Sequence, residues 1–210
     1  VVCLGATVLF NEVMKSGAYG LIQAILVVGI VWFFAFWVSR RMGVDERSAM
    51  VLSSGMSICG VSACITASRV ANCDDKKLSY IVSLVLIIVV PMIYLMPWLA
   101  NMVLPLLFDD PEVINQVAGA WIGGTVDSTG AVVLAGEALG PVGGQVAALV
   151  KMIQNILIGF IALAISIFFA MKVDTESTGG KVGVDEIWHR FPKFIIGFFV
   201  ASVLFSFVIM

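Results

Sequence analysis

Residues 123–132 read Gly-Gly-Thr-Val-Asp-Ser-Thr-Gly-Ala-Val, a small and polar run inside a long apolar segment. A second run of this kind, Ser-Ser-Gly-Met-Ser-Ile-Cys-Gly-Val-Ser-Ala, occupies residues 53–63 of another apolar segment. Glycine weakens a helix by its conformational freedom, and serine does so by bonding to nearby backbone groups. The two runs therefore predict one break in each of two helices.

The surrounding sequence is far too apolar for a water-soluble domain. Hydrophobic residues make up 60% of the chain and charged residues 12%, with a mean hydropathy of +1.07, whereas soluble domains carry roughly 25% charged residues. The apolar residues fall into blocks of about 20, the length that crosses a bilayer core. Six segments result: A at 19–38, B at 48–70, C at 79–100, D at 116–136, E at 145–171 and F at 194–210.

Each segment is predicted to be helical, because lipid leaves an unpaired backbone no other solution except a closed barrel. Barrel strands alternate polar and apolar residues, and the runs at 25–31 and 82–90 do not alternate. The prediction is an all-α integral membrane protein with a single transmembrane domain over residues 1–210. Both ends are apolar, which predicts a fragment whose parent has further helices before residue 1.

The positions of Lys and Arg predict the topology, since cytoplasmic loops carry the excess. Loops 39–47, 69–77 and 172–193 are rich in Lys and Arg and are placed on the cytoplasmic side. The charged residues of loop 101–115 are all acidic, so this loop is placed on the outer side. Segments B and D then each begin and end on one side, as re-entrant hairpins that face opposite ways. Opposed broken helices that meet near the midplane are typical of inverted-repeat transporters. The alternative makes B and D full crossings with an unwound middle.

In segment B, a break near Cys59 and Gly60 would let a helix restart at Val61 or Ser62. The amide groups at such a restart bind anions without a basic side chain. The alternative is that the small residues only allow close helix packing in lipid.

Segments D and E each place an ionisable residue within an apolar block. Asp127 is costly there, at ~2.5 to 3.5 kcal/mol or more, so it is predicted to bind a coupling proton or sodium ion; the alternative is a helix N-cap for a segment that begins at Ser128. Lys151 shares a helix face with Asn155. It either snorkels to the outer interface or pairs with Asp127 or a bound anion.

Other chemistries find little support in the sequence. Cys3, Cys59, Cys64 and Cys73 form no C-x-x-C pair, and His189 is the single histidine and lies far from all four cysteines. No nucleophile elbow, phosphate loop or metal-ligand spacing is present. The chain is therefore not expected to be an enzyme or to hold a metal or a cofactor, and the small net charge of −2 gives no reason to expect nucleic acid.

Residues 55–63, 123–136 and 150–152 together resemble the sulfate exporter family of bacterial membrane proteins, in order and spacing, over nearly the whole chain. The resemblance implies an inner-membrane transporter, distantly related to cation/proton antiporters and anion transporters that have inverted repeats and broken helices. Many members carry His-Glu where this chain has Asp127-Ser128, and Arg where it has Gln154. The family's functional positions are therefore carried over only to Cys59, Gly60, Ser62, Thr125 and Lys151.

The sequence as a whole predicts a secondary active transporter that exports a small anion, sulfate or a relative, coupled to a proton or cation. Its expected partners are the lipid bilayer, the anion and, as a further candidate, a second copy of the chain. The alternatives are a cation/proton antiporter, a channel or a membrane sensor. The predicted substrate-binding residues are Ser57, Cys59, Gly60, Ser62, Gly124, Thr125, Ser128 and Lys151, with Asp127 for the coupling ion.

Overall fold

The structure, a computed structural model, describes residues 17–177, so segment F and His189 lie outside the described residues. All regular secondary structure in this range is helical. The helices are α1 (Gly17–Arg41), α2 (Glu46–Ser54), a π-helical turn (Gly55–Cys59), α3 (Val61–Ala71), α4 (Asp75–Val103), a 3-10 turn (Leu104–Leu106), α5 (Pro111–Thr125), α6 (Thr129–Glu137) and α7 (Pro141–Ser177). The predicted all-α class is confirmed.

Three of the described helices are long and apolar enough to cross a membrane. These spans are Gly20–Arg41, Asp75–Leu106 and Pro141–Phe168. Their outward faces are apolar: Ile30 and Phe33 of α1 are 67% and 69% exposed, which in a protein of this composition indicates contact with lipid. The chain is a multi-pass membrane protein.

Segment B forms a hairpin of two antiparallel helices, α2 and α3. At the open end, the Arg47 guanidinium donates to the carbonyl of Asn72 at 3.0 Å, and closer to the tip the Cys64 thiol donates to the carbonyl of Val51 at 3.6 Å. The segment therefore begins and ends at the same end of the bundle. We call it hairpin B, comprising α2, the π-helical turn and α3.

Segment D forms a second hairpin, hairpin D, from α5 and α6. Gly119 of α5 and Gly136 of α6 both lie against Gly143 at the start of α7, closely enough that a side chain at either position would collide with it or its neighbours. At the other end of α6, Thr129 meets Asn155, much further along α7. The open end of hairpin D thus lies at the start of α7, and its tip lies beside the middle of α7.

The two hairpins face opposite ways, as their positions along α4 show. α4 starts directly after hairpin B and ends shortly before hairpin D. Between these ends, Gly60 at the tip of hairpin B lies against Val85, and Thr125 at the tip of hairpin D is 3.8 Å from the sulfur of Met96. The two hairpins point in opposite directions, which agrees with the predicted hairpins and not with two full crossings; that they re-enter the membrane as inverted repeats stays a prediction.

The basic and acidic loops lie at opposite ends of this bundle. Loops 39–47 and 69–77 are adjacent at the open end of hairpin B, where the Lys77 ammonium contacts the Asp45 carboxylate at 2.8 Å. The acidic loop 101–115 leads into hairpin D at the other end. The grouping agrees with the charge pattern; the assignment of the basic end to the cytoplasm stays a prediction.

Candidate functional site

The tips of the two hairpins touch at position 60, where the backbone conformation and the available space favour glycine. Its backbone has φ 62° and ψ −112°, a conformation that residues with a side chain avoid. A Cβ atom there would also lie 2.6 Å from the backbone oxygen of Asp127. Hairpin B thus presses its backbone directly against the break of hairpin D.

The break in hairpin B lies where the sequence predicts it. The Gly60 amide donates to the carbonyl of Gly55 at 2.9 Å, which closes a π-helical turn, and α3 begins at Val61. Single π-helical turns are frequent at functional sites. The start of α3 thus directly follows Gly60, which contacts hairpin D, and beside it the Cys59 thiol and the Ser62 hydroxyl lie 2.7 Å apart.

The break in hairpin D is a short extended stretch between α5 and α6. Val126 and Ser128 both have extended backbone, and α6 begins at Thr129 with Ser128 as its N-cap residue. The N-cap interpretation of Asp127 is therefore wrong, because Asp127 lies one residue before the cap. The Ser128 side chain makes no capping hydrogen bond either, so the first amide groups of α6 are left without a side-chain partner.

Lys151 on α7 connects the two tips. Its ammonium donates to the carbonyl of Ile58 in hairpin B at 2.7 Å and to Oε1 of Gln154 at 2.8 Å. Gln154 in turn donates from Nε2 to the carbonyl of Gly124 in hairpin D at 3.1 Å. Lys151 is 1% exposed and follows ten residues after Pro141, or about 15 Å of helix. The snorkelling interpretation is wrong, since the ammonium is buried and bonded at the tips of the hairpins.

Asp127 supplies the negative charge of the site. Its side chain is 9% exposed and interacts electrostatically with Lys151. No direct ion pair joins Asp127 to Lys151, in contrast to Arg69–Asp75 and Lys77–Asp45, so the Asp127 carboxylate attracts the Lys151 ammonium without direct contact. A buried carboxylate that lacks a contact partner can take up a proton or a small cation.

The residues that the sequence predicts to bind substrate or the coupling ion fall into two groups. Two of them, Thr125 and Ser57, donate their hydroxyls to backbone carbonyls of their own hairpins. Thr125 donates its hydroxyl to the Trp121 carbonyl at 2.7 Å, and Ser57 donates to the Ser54 carbonyl at 3.4 Å. The remaining predicted positions are at the tips or directly beside them: Cys59, Gly60, Ser62, Gly124, Asp127, Ser128 and Lys151. Their role in binding stays a prediction.

Four polar groups that the sequence prediction did not include also belong to this site. Gln154 accepts a hydrogen bond from Lys151 and donates one to the Gly124 carbonyl. Asn155 donates from Nδ2 to the hydroxyl of Thr129, the third of these groups, at 3.4 Å. Gln23 of α1 lies beside Gly124. For Gln154 and Asn155, the sequence does contain a signal: they form a Lys-x-x-Gln-Asn pattern with Lys151 inside an apolar segment. Polar residues at this spacing share one helix face.

Two other arrangements are less suited to a polar ligand. A cavity of about 570 Å³ between α1, α2 and α7 is lined by Trp32, Phe36, Met50 and Ile165 among others; its apolar walls and distance from the tips fit a lipid-facing groove. Within the described part of the chain, no three His, Cys, Asp or Glu side chains come together to hold a metal ion.

These features define a class: an all-α, multi-pass membrane protein with two opposed hairpins that meet at a buried Lys151 and Asp127. The chain belongs to the family described as Conserved hypothetical protein 698, whose model matches residues 1–210. The predicted membership in this family of membrane proteins is confirmed.

Several relatives are similar over almost the whole chain. A UPF0324 membrane protein of Rhodopirellula baltica is 40% identical over 98% of this chain and 37% of its own length. One of Nitratidesulfovibrio vulgaris is 39% identical over 98% of this chain and 34% of its own length. UPF0324 membrane protein TauZ of Paracoccus denitrificans is 30% identical over 92% of this chain and 54% of its own length.

The chain spans about a third of the length of the first two relatives. No solved structure is significantly similar to it.

Proposed function

We propose that this chain forms part of a secondary active transporter for a small anion, such as sulfate or a related sulfur oxyanion, coupled to a proton or cation. The observation that carries the proposal is the meeting of two helix N-termini, those of α3 and α6, beside the buried ammonium of Lys151. Hairpins that enter from opposite ends and meet at one point are the architecture of alternating access.

The charges favour an anion as the transported species. Each helix N-terminus carries roughly half a positive charge and several amide donors. Lys151 uses two of its three N–H donors on Ile58 and Gln154, so one donor remains for a ligand. The Ser62 hydroxyl, at the start of α3, adds a further donor at the same place.

Asp127 is the candidate for coupling. It is the one carboxylate buried among the described residues, and protonation or cation binding would remove the negative charge that opposes an incoming anion. Binding of the anion and of the proton or cation would then favour each other, as transport of both in the same direction requires.

The test is transport in proteoliposomes that contain the full-length protein. Labelled sulfate, sulfite and thiosulfate are offered with and without an imposed pH or sodium gradient. We expect saturable, gradient-dependent uptake of at least one anion, reduced about tenfold in Ser62→Ala because a hydrogen bond to a charged ligand is lost. The matched control is Ser83→Ala, since Ser83 is an exposed serine of α4 that bonds only to its own helix.

A cation/proton antiporter is the second candidate, and the buried Asp127 carboxylate without a contact partner favours it. In that case the liposomes would show no anion uptake, while sodium would move protons across the membrane. Asp127→Asn would abolish this exchange and Ser62→Ala would leave it unchanged. That pattern would overturn the anion transporter.

A further inference from the structure

Asn155 has a buried acceptor without a donor. Its side chain is 2% exposed, and its Nδ2 group donates to the hydroxyl of Thr129, the first residue of α6, at 3.4 Å. Its Oδ1 atom has no hydrogen-bond partner among the described residues. A buried amide oxygen left unsatisfied costs about 1 to 3 kcal/mol, so this atom marks a place where a ligand can supply a donor.

The groups around this acceptor are themselves mostly donors. The first backbone bond of α6 runs from Val132 to Ser128, so the amides of residues 129–131 point out of the helix end without an intrahelical acceptor. Ser128 does not cap them. A ligand at the start of α6 therefore meets several donors and, at Asn155 Oδ1, one acceptor.

We infer that the site binds a small anion that also carries its own hydrogen-bond donor, namely a hydroxyl, an amino group or a protonated oxygen. The anionic oxygens accept from the start of α6, and the ligand's X–H group donates to Asn155 Oδ1. Hydroxy- or amino-substituted sulfonates and carboxylates meet both requirements, as do singly protonated oxyanions. Fully ionised sulfate has no donor to offer. The inference rests on the proposed anion site and narrows its substrate class.

The test compares ligands that differ in one group. Binding of 2-hydroxyethanesulfonate and of propane-1-sulfonate to the purified full-length protein is measured by thermal shift and isothermal titration at equal ionic strength; glycolate and propionate form a second pair. In each pair a hydroxyl replaces a methyl group at nearly the same size. We expect the hydroxylated member of at least one pair to bind about tenfold more tightly.

Asn155→Leu, which removes the acceptor at similar volume, should reduce that preference to about one while both ligands still bind. Thr66→Val is the matched control: Thr66 Oγ1 is the other buried oxygen without a partner, but it lies on α3, packed against α7 among Ile158, Ile161 and Ala162. The preference should persist in that variant. If Asn155→Leu does not fold, the wild-type ratios alone decide.

Equal binding within both pairs in the wild type would overturn the inference while leaving the anion site intact. A preference that survives in Asn155→Leu would overturn it as well. No binding of any of the four anions would also overturn the inference, and the proposed anion site would be overturned with it if sulfate, sulfite and thiosulfate failed to bind in the same assay.

Discussion

The two hairpin tips have similar sequences but satisfy their polar groups in different ways. In hairpin B the serines bond to their own helix: Ser53 donates to the Ala49 carbonyl at 2.6 Å and Ser54 to the Met50 carbonyl at 2.8 Å. Hydroxyls that bond in this way are satisfied and can lie in an apolar environment at little cost. The exceptions at this tip are the Ile58 carbonyl, which Lys151 of α7 bonds, and the Ser54 hydroxyl, which also accepts from the Trp32 indole of α1.

Hairpin D depends on its neighbours. Its Gly124 carbonyl is bonded by Gln154 of α7, and its Thr129 hydroxyl is contacted by Asn155. The side chains of Asp127 and Ser128 form no hydrogen bond with any residue that the structure describes. Buried polar groups normally have partners, so the Asp127 carboxylate without a hydrogen bond fits the binding role that we propose for hairpin D.

The difference indicates a division of work between the two elements. Hairpin B supplies the start of α3 and the Ser62 hydroxyl, and it is held in place by its own bonds, by the Lys151 bond to Ile58 and by the Gly60 contact. In the proposed site, hairpin D and α7 supply groups whose side chains are left to pair with a ligand. Substitutions should therefore affect stability when they remove the connection between the hairpins, and affect selectivity when they alter the unpaired groups of hairpin D.

Lys151→Met is expected to have the largest effect, because it removes the connection between the tips. The substitution leaves the Ile58 carbonyl without its donor and the buried Asp127 without its cation, and breaking a buried charge interaction typically costs about 3 to 5 kcal/mol. We expect lost transport and a clearly lower melting temperature in detergent.

The control for this prediction is the double variant Lys151→Met with Asp127→Asn. If the cost comes from an uncompensated carboxylate, the second substitution should recover part of the stability without restoring transport. Equal stability of Lys151→Met and wild type would show that the connection through α7 does not hold the tips together.

Gly60→Ala should have the next largest effect, since it separates the tips sterically. The positive φ and a Cβ atom 2.6 Å from the Asp127 carbonyl oxygen act together, and strain with overpacking of this kind costs about 2 to 3 kcal/mol. Gly29→Ala is the control, because a Cβ at Gly29 meets nothing within 4 Å. Similar melting temperatures for the two variants would contradict the close contact of the hairpins.

Much of the fold follows from the sequence because lipid restricts the solutions. Apolar block length predicts the spans, and the basic loops at 39–47 and 69–77 predict that segment B returns to its starting side. The small polar runs predict both breaks, with α3 starting at Val61 as expected. These signals are local in the chain, so a single sequence carries them.

The details of the site depend on long-range contacts that no local signal encodes. One partner of Lys151 is the backbone carbonyl of Ile58, which lies 93 residues away. Any residue type can provide a carbonyl, so the sequence does not predict this bond. The sequence also does not show which of two nearby threonines contributes its hydroxyl to the site. The Thr125 hydroxyl bonds to its own helix, whereas the Thr129 hydroxyl accepts from Asn155. Which hydroxyl faces the site depends on the exact rotation of α5 and α6, and a one-residue shift turns a helical side chain by about 100°.

Asp45→Asn should have the smallest effect, because it alters the open end of hairpin B rather than the tips. The hydrogen bond from Lys77 lowers the pKa of Asp45, so the ionised form stabilises the folded state. This contribution is complete above the ordinary value of 3.8 and is lost as the pH falls through the lowered pKa. Both side chains are about half exposed, so solvent screening keeps the contribution small.

Asparagine still caps α2 through Ser48, whereas alanine does not, so Asp45→Ala should cost about 1 kcal/mol more than Asp45→Asn. The measurement is the difference in melting temperature between wild type and Asp45→Asn, taken at neutral pH and again below the lowered pKa. The difference should be small at neutral pH and vanish in acid. If it instead grows in acid, or matches the effect of Gly60→Ala at neutral pH, then the open end of hairpin B holds the fold as firmly as the tips do.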